Sequence, residues 1–276
     1  MKFSVLMSIY FRENPDYFHR AMQSIWDEQT VKPDEIVLVL DGNLTDELYE
    51  TVNYWKNRLE LVFKVVPLDE NVGLGQALNY GLNICQYDLI ARMDTDDISM
   101  SSRFEKQLKV FNEKDIDVCG AFISEFEDDE NDIVSYRVLP AEHDDIVSYG
   151  KMRSPMNHAS VMYKKSSVVN AGSYMHMLWM EDYYLWARMI LNGAKFYNIQ
   201  EPLLNVRAGN DMLSRRGGLD YAKSEFRLLS ELKRIGFLTL NQYLINVIIK
   251  MPIRLMPKVG RKLIYKFLRS KGKGQG

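Results

Sequence analysis

Cysteine is scarce in this sequence of 276 residues, which contains only Cys85 and Cys119. Two cysteines cannot form the disulfide framework of a small secreted domain and are typical of buried thiols in a reducing compartment. Long hydrophobic runs are also missing. The best candidate, Leu244 to Ile249, is short and interrupted by Asn246, so no segment is expected to cross a bilayer. The ordinary shares of hydrophobic (46%) and charged (26%) residues exclude a disordered chain and suit one large domain.

Acidic residues are absent from the end of the chain. After Glu231 there are 11 Lys or Arg and no Asp or Glu, although the formal net charge of the whole chain is only -2. The part of the chain up to Glu231 holds all 37 acidic side chains and is therefore strongly acidic. This distribution argues against general nucleic-acid binding and predicts that the basic tail contacts something anionic.

Strand and helix patterns alternate in the first half of the chain. The apolar start meets Arg12 and Glu13 without a cleavage pattern, so it predicts a first strand and not a signal peptide. Strands are predicted at Phe3–Ile9, Glu35–Leu40, Leu61–Val66 and Asp88–Met93, with helices at Pro15–Glu28, after Thr45 and at Gly73–Cys85. This alternation implies an α/β fold whose mostly parallel, Rossmann-like sheet is flanked by helices.

The second half is less regular. Helices are predicted at Ser101–Asn112, Glu181–Leu191 and Tyr221–Ile235, and strands at Val118–Phe122, Ile133–Val138, Ser160–Tyr163 and Lys195–Ile199. We divide the chain into a half at 1–100, a second half of the same domain at 101–220, and a helical, basic tail at 221–276.

Three carboxylates, those of Asp94, Asp96 and Asp97, follow the fourth predicted strand in close succession. Carboxylates this close repel each other, and such clusters persist mainly when a divalent cation neutralises them. Ligands made only of oxygen suit Mg²⁺ or Mn²⁺ shared with substrate phosphates. The alternative is an acidic helix N-terminus ahead of Ser101.

Other polar residues are expected at the same sheet edge, because ligands of open α/β sheets bind beyond the carboxyl ends of the strands. Ser8 and Tyr10 follow strand one, Asp41 follows strand two, and Asn71 precedes the third helix. Asp41 alone would be a turn residue that caps the next helix.

An acidic pair, Glu181 and Asp182, opens a helix and is followed by Tyr183, Tyr184 and Trp186. Acidic residues are favourable at a helix N-terminus, but that does not explain the aromatics. Aromatic rings pack on sugar C–H faces, so the segment favours a sugar-binding cleft.

Taken together and in order, Phe3–Asp41, Asn71–Leu82, Arg92–Asp97 and Glu181–Trp186 resemble glycosyltransferase family 2, which has the GT-A fold. Asp94 to Asp97 looks like the DxD motif of the family. Glu181-Asp182 looks like the acidic pair that carries its general base. The segments MDTDD, SEFEDD and EDYYLWARMI resemble bacterial O-antigen and capsule enzymes, among them β-1,3-galactosyltransferases acting on N-acetylhexosamine-diphosphate-undecaprenol.

The resemblance implies a nucleotide-sugar site in the first half and an acceptor site in the second. Ser8 and Asn71 would belong to the nucleotide-sugar site, Tyr10 and Asp41 would flank the base, and Asp94 would reach the ribose. Arg207 would contact the diphosphate.

The resemblance also implies the chemical roles. Asp96, with Asp94, would bind the Mn²⁺ or Mg²⁺ ion, supported by Asp97, and Arg92 would hold this cluster in place. Asp182 would be the general base. Glu181 would orient the acceptor or be a plain helix residue.

The implied activity is an inverting, metal-dependent transfer of a hexose, with galactose from UDP-Gal in β-1,3 linkage as the first candidate. UDP-Glc and UDP-GlcNAc are alternative donors. The acceptor would be a sugar on undecaprenyl diphosphate, used for O-antigen or capsule. Other classes of function are a sugar-nucleotide nucleotidyltransferase, which would want a basic glycine-rich loop that Ser8–Pro15 lacks, and a non-catalytic nucleotide-sugar-binding protein.

The sequence leaves two interpretations open for His158, for Arg215 and Arg216, and for the tail. His158 could line the acceptor cleft or be a hydrogen-bonded structural histidine. Arg215 and Arg216 could close over the donor or belong to an ordinary basic loop. From Lys258 to Arg269, apolar and basic residues separate onto two halves of a helical wheel. That pattern favours binding to the inner face of the bacterial cytoplasmic membrane over packing on the body.

Overall fold

Residues 1–208 and 217–256 are described by the structure, which is a computed structural model. Arg215, Arg216 and the predicted tail helix lie outside the described residues. The strands are β1 (Phe3–Ile9), β2 (Glu35–Leu40), β3 (Phe63–Pro67), β4 (Leu89–Arg92), β5 (Ile98–Ser99), β6 (Val118–Phe126), β7 (Ile133–Arg137), β8 (Met162–Lys164) and β9 (Phe196–Arg207).

Helices flank this sheet in the described ranges, and the last two pack on another helix. They are α1 (Pro15–Trp26), α2 (Asp46–Leu59), α3 (Leu74–Ile84), α4 (Arg103–Glu113), α5 (His143–Gly150), α6 (Lys165–Asn170), α7 (Glu181–Leu191), α8 (Leu219–Arg234) and α9 (Leu240–Leu255). Short 3₁₀ turns lie at Glu60–Val62 and His158–Ser160.

The strands form one mixed sheet in the order β3-β2-β1-β4-β8-β6-β9-β5, and β7 pairs with β6 outside this path. The first four strands are parallel, as the alternating sequence pattern predicts. Beyond β4, the strand β8 runs antiparallel to both of its neighbours, and β6 and β9 are parallel to each other. The parallel prediction therefore holds for the first half, and the second half is mixed.

The register of the parallel strands brings their ends to one level. Ile9 pairs with Leu40, so Tyr10 and Asp41 leave the sheet side by side. Strand β2 is buried along its whole length, as its continuous apolar run predicts. The ends of β1, β2 and β4 therefore form one edge that gathers polar side chains.

The last two described helices are part of the folded body. Helices α8 and α9 are joined by a short loop and pack on α7 through one apolar cluster. Its buried members include Tyr184, Leu228, Leu229, Leu232 and Phe237. The predicted division at residue 221 stays a prediction. None of the helices in the described part of the chain combines the length and apolar character that crossing a bilayer requires.

Candidate active site

A cleft of about 430 Å³ opens at the carboxyl ends of the parallel strands. It is lined by Ser8, Tyr10, Glu13, Asp41, Asn71, Gly73, Leu74, Asp94, Thr95 and Asp96. Six residues that the sequence assigns to nucleotide or metal binding therefore meet in one cavity, and Glu13 and Thr95 join them. The convergence follows from the parallel topology, because it delivers every strand end to the same edge.

The three aspartates of the DxD-like motif form one acidic cluster. Asp94, Asp96 and Asp97 each offer a carboxylate oxygen, and these oxygens all lie within 4.8 Å of one another. Burial, followed by the charges of Asp94 and Glu13, raises the pKa of Asp96 to about 7. Burial and the two neighbouring aspartates also raise the pKa of Asp97 well above its ordinary value. A cation would relieve this repulsion, and the oxygen-only donor set fits Mg²⁺ or Mn²⁺.

Two buried arginines lie beneath the cluster. Arg92 is only 1% exposed, and its Nη2 lies 2.5 Å from Oδ1 of Asp94. Arg103 is fully buried, and its Nη2 donates to the backbone carbonyl oxygen of Arg92 at 2.6 Å. Burial lowers the pKa of Arg103 to about 9. Arg92 is not among the residues that line the cleft; it pairs with the motif from below, and Arg103 holds the backbone of Arg92 in turn.

Asp97 is tied to the last strand. Its Oδ1 accepts a hydrogen bond from the backbone N–H of Arg207 at 3.1 Å. The guanidinium of Arg207 lies over the rings of Tyr17 and Phe126, 3.7 Å and 4.6 Å from their centroids. This side chain packs between two aromatic rings and does not line the cleft. Its contact with a diphosphate stays a prediction.

Asp41 holds the loop that opens α3. Its carboxylate accepts hydrogen bonds from the backbone N–H groups of Val72 at 2.7 Å and Gly73 at 3.1 Å. The side chain of Asn71 donates to the backbone carbonyl of Asp41 at 3.2 Å. Gly73 has a φ of 83°, a conformation that favours glycine. Asp41 therefore shapes the cleft wall, and each carboxylate oxygen keeps a lone pair for a further donor.

Glu13 is a cleft residue that the sequence analysis misses. Thr95 donates from its hydroxyl to Oε2 of Glu13 at 2.5 Å. Burial raises the pKa of Glu13, and the charge of Asp94 adds to this effect. Glu13 lies in the loop after β1, where no local pattern marks it, because its partner Thr95 is 82 positions away in the sequence.

The acidic pair at the start of α7, Glu181 and Asp182, is not among the residues that line the cleft. Asp182 Oδ2 accepts a hydrogen bond from the hydroxyl of Ser154 at 3.3 Å, and burial raises the pKa of this aspartate. Burial and the charge of Asp182 raise the pKa of Glu181 to about 7. A Cβ placed on Gly75 would lie 3.4 Å from Cβ of Glu181, so this side chain packs against the start of α3. The charge of Asp94 also raises the pKa of Glu181, so this carboxylate is within electrostatic reach of the cluster.

The prediction that the aromatic residues after Asp182 line a sugar-binding cleft is wrong. Tyr183, Tyr184 and Trp186 are all buried and belong to the apolar clusters that hold α7 in place. A different aromatic residue is accessible near the pair. Trp179 is half exposed and has a φ of 64°, and it stacks on Tyr221 with ring centroids 5.6 Å apart.

His158 is held by neighbouring aromatic side chains. Its Nε2 lies 2.8 Å from the hydroxyl of Tyr174, and its ring contacts Trp186. Burial and the nearby Arg92 lower the pKa of His158 well below its ordinary value, so the ring is neutral at pH 7. These contacts favour the structural interpretation of His158.

Comparison with known proteins identifies the family. The model of glycosyl transferase family 2 matches residues 4–177. The chain belongs to glycosyltransferase family 2, so it is a glycosyltransferase, as the resemblance of its motifs implies.

Two curated relatives match nearly the full length of the chain. One is the amylovoran biosynthesis glycosyltransferase AmsE of Erwinia amylovora, 41% identical over 267 residues, which are 95% of this chain and 97% of the relative. Another is a UDP-Gal:α-D-GlcNAc-diphosphoundecaprenol β-1,3-galactosyltransferase of Escherichia coli. It is 37% identical over 266 residues, which are 96% of this chain and 95% of the relative.

Solved structures confirm the GT-A type of α/β fold. A mannosyltransferase from Pyrobaculum calidifontis, in complex with GDP-Man and Mn²⁺, superposes with a TM-score of 0.66 at 14% identity over 97% of this chain and 75% of that chain. Residues 1–349 of S. aureus TarS, in complex with UDP-GlcNAc, superpose with a TM-score of 0.64 at 18% identity over 84% of this chain. The match spans 66% of that longer chain.

Proposed function

We propose that this glycosyltransferase moves a hexose from a UDP-sugar onto an N-acetylhexosamine carried by undecaprenyl diphosphate, in O-antigen or capsule biosynthesis. Galactose in β-1,3 linkage is the first candidate, because a relative with that activity is 37% identical over nearly the whole chain. The observation that carries the proposal is the cleft at the strand ends, which holds two members of the acidic cluster, with Glu181 of the separate acidic pair within electrostatic reach of Asp94. UDP-Glc and UDP-GlcNAc are the alternative donors.

The donor would occupy the cleft at the strand ends. Tyr10 is 40% exposed and offers its ring to the nucleotide base, and Asp41 offers its remaining lone pairs to a ring N–H. Ser8 and Asn71 line the same cavity. Arg207 would reach the diphosphate only by leaving its present contacts with the two rings.

Asp96 and Asp94 would hold the divalent ion. Bound there, Mn²⁺ or Mg²⁺ supplies charge neutralisation for the departing diphosphate. Asp97 would hold the strand end through the N–H of Arg207, and Arg92 would keep Asp94 in place from below. Both of these roles position groups that contact the donor.

Asp182 would act as general base on the acceptor. Its carboxylate takes the proton of the acceptor hydroxyl while the hydroxyl oxygen bonds to the anomeric carbon. The bond from that carbon to the phosphate oxygen breaks, and UDP leaves with the electron pair. Attack opposite the leaving group inverts the anomeric centre, so an α-linked donor gives a β-linked product. Glu181 would orient the acceptor.

We further propose that residues 1–100 bind the donor and residues 101–220 bind the acceptor. The enzyme would work at the inner face of the cytoplasmic membrane, held there by the basic end of the chain. The segment from Pro257 to Gly276 contains seven Lys or Arg and no acidic residue, which supports attraction to an anionic surface.

A panel of nucleotide sugars tests this proposal. Each donor is incubated with a synthetic N-acetylglucosamine-diphosphate-lipid, and products are identified by mass spectrometry and by NMR of the anomeric proton. We expect one UDP-hexose to give a β-linked disaccharide and excess EDTA to abolish the reaction. A retained α configuration would contradict single displacement, and undiminished turnover in EDTA would contradict the metal role.

A further inference from the structure

Helix α9 points its charged side chains inward. Lys250 and Arg254 face the body and pair with Glu225, which is 4% exposed, at distances of 3.4 Å and 2.5 Å. Asn246, the fully buried residue of this helix, donates to the backbone carbonyl of Lys151 at 2.9 Å. The side of α9 that packs on the protein therefore carries its charged residues, together with Tyr243, Val247 and Met251 of the apolar cluster.

The outward face of α9 is apolar from end to end. We define the outward face as Leu244, Ile245, Ile248, Ile249, Pro252 and Leu255, all of which are exposed. These positions recur every three or four residues, so they form one stripe on the helix. Ile248 is 70% exposed, and no charged residue interrupts the stripe. A helix on a water-facing surface has the opposite arrangement, with charges outside and aliphatic side chains inside.

We propose that the outward face of α9 docks on an anionic lipid surface. At 1.5 Å per residue a helix of this length spans about 24 Å, less than the hydrocarbon core of about 30 Å, so it would lie in the plane of the interface. After Met256, at the end of the stripe, the chain continues from Pro257 to Gly276 with seven Lys or Arg and no acidic residue. An apolar stripe beside an excess of basic residues is the combination that binds anionic membranes.

Charge favours a lipid surface over a second copy of the chain as the occupant. A symmetric dimer through the outward face would set this stripe against its own copy, and the stripe contains no acidic residue to pair with the basic chain ends. A lipid surface instead offers hydrocarbon to the aliphatic side chains and negative head groups to the basic residues.

The docking face is connected to the proposed general base. Asn246 holds the carbonyl of Lys151, which lies in the turn just before Ser154, the donor to Asp182. At the other end of α9, the guanidinium of Arg254 lies 4.8 Å from the ring centre of Tyr221, which stacks on Trp179. This connection would couple the membrane surface to the site that receives a lipid-linked acceptor, and that coupling rests on the proposed function.

Sedimentation of the full chain with vesicles of phosphatidylcholine and phosphatidylglycerol tests the proposal. The double variant Leu244→Asp/Ile248→Asp should bind these vesicles about a hundredfold more weakly, because two aliphatic side chains no longer insert. The matched control is Leu61→Asp, which changes a leucine that is 91% exposed in a different element. This control should bind as the wild type does.

A second variant keeps the surface apolar. Ile248→Trp should lose fluorescence when brominated phosphatidylcholine is added to the vesicles, and Leu61→Trp should not. Unchanged vesicle binding of the double variant would overturn the proposal. A wild-type dimer that the double variant dissociates, with vesicle binding unchanged, would show that a second copy covers the face.

The chain's own end is the remaining alternative occupant. Truncation after Met256 would then increase vesicle binding while the double variant of the full chain binds as before, and this result would also overturn the proposal. Transfer onto a short soluble acceptor without vesicles separates the two proposals. Failure of transfer with every donor would remove the proposed function and leave docking standing.

Discussion

Replacing Asp182 with Asn tests whether this side chain is the general base. The substitution keeps the size and shape of the side chain, and the amide oxygen can still accept from Ser154. It removes the basic carboxylate. We expect kcat to fall by about 10²–10⁴-fold, the usual contribution of a general base. That range corresponds to about 2.7–5.4 kcal/mol of transition-state stabilisation.

The pH profile provides a second measurement on the same residue. Burial raises the pKa of Asp182, and a base must be ionised, so turnover should fall on the acid side below this raised pKa. The Ser154 hydroxyl stabilises the charged form, and Ser154→Ala should therefore move the acid limb to higher pH. At 3.3 Å the hydrogen bond is long, so we expect a shift of less than about one pH unit, equivalent to about 1.4 kcal/mol. Ser230→Ala, in α8, is the control and should leave the profile unchanged.

The assay is steady-state sugar transfer, together with calorimetric titration of the nucleotide sugar. Asp182→Asn should leave donor affinity within about twofold, because a base that acts on the acceptor contributes to the transition state and not to donor binding. If donor affinity falls as far as turnover does, Asp182 maintains the structure of the cleft. Unchanged turnover would assign the base elsewhere, with Glu181 as the next carboxylate to replace.

Three further changes test the layers around the site. Asp96→Asn should abolish Mn²⁺ binding measured by calorimetry. In the wild type, the affinity for Mn²⁺ should weaken as the pH falls below about 7, because the ion must then displace a proton from Asp96. Arg103→Met should lower the free energy of unfolding in urea by about 1–3 kcal/mol, because the backbone carbonyl of Arg92 loses its hydrogen-bond donor. The control Arg227→Met, at an exposed position, should change it by less than about 0.5 kcal/mol. Leu229→Ala, at a fully buried position of α8, should cost about 2–5 kcal/mol in one cooperative transition; a separate early transition would show that α8 and α9 fold independently of the body.

Elements with one strong local signal are predictable from the sequence. The bounds of β2 and α7 agree with the prediction, because an unbroken apolar run and an acidic helix start mark them. Strand β9 extends to Arg207 and not to Ile199, because its register with β6 shifts around Phe122 and lets the strand pass Pro202. The sequence analysis includes α9 in the helical, basic tail at 221–276 but gives it no bounds of its own.

The same distinction holds for the site. Asp41 and the DxD-like aspartates are predictable, because parallel strands deliver their ends to one edge. Three residues of the site are not predicted, because their roles depend on contacts that no local sequence pattern marks: Glu13, Arg103 and Ser154. The prediction that the aromatic residues of α7 line a cleft is wrong because this helix is buried on nearly every side. Periodicity in the sequence cannot distinguish an aromatic ring in the core from one in a cleft.

The pairing of β6 with β9 has a consequence for biosynthesis. Val118 of β6 pairs with Phe196 of β9. During synthesis, β6 therefore has no parallel partner until the chain has been extended past Phe196 and β9 has left the ribosome. Contacts between positions so far apart make folding slow, and β6 would stay partly unpaired for that period. Helices α8 and α9 emerge after β9. The aliphatic stripe of α9 is therefore presented to the cell only after the strands β1 to β9 have been synthesised, which limits the time during which it could aggregate with unfinished chains.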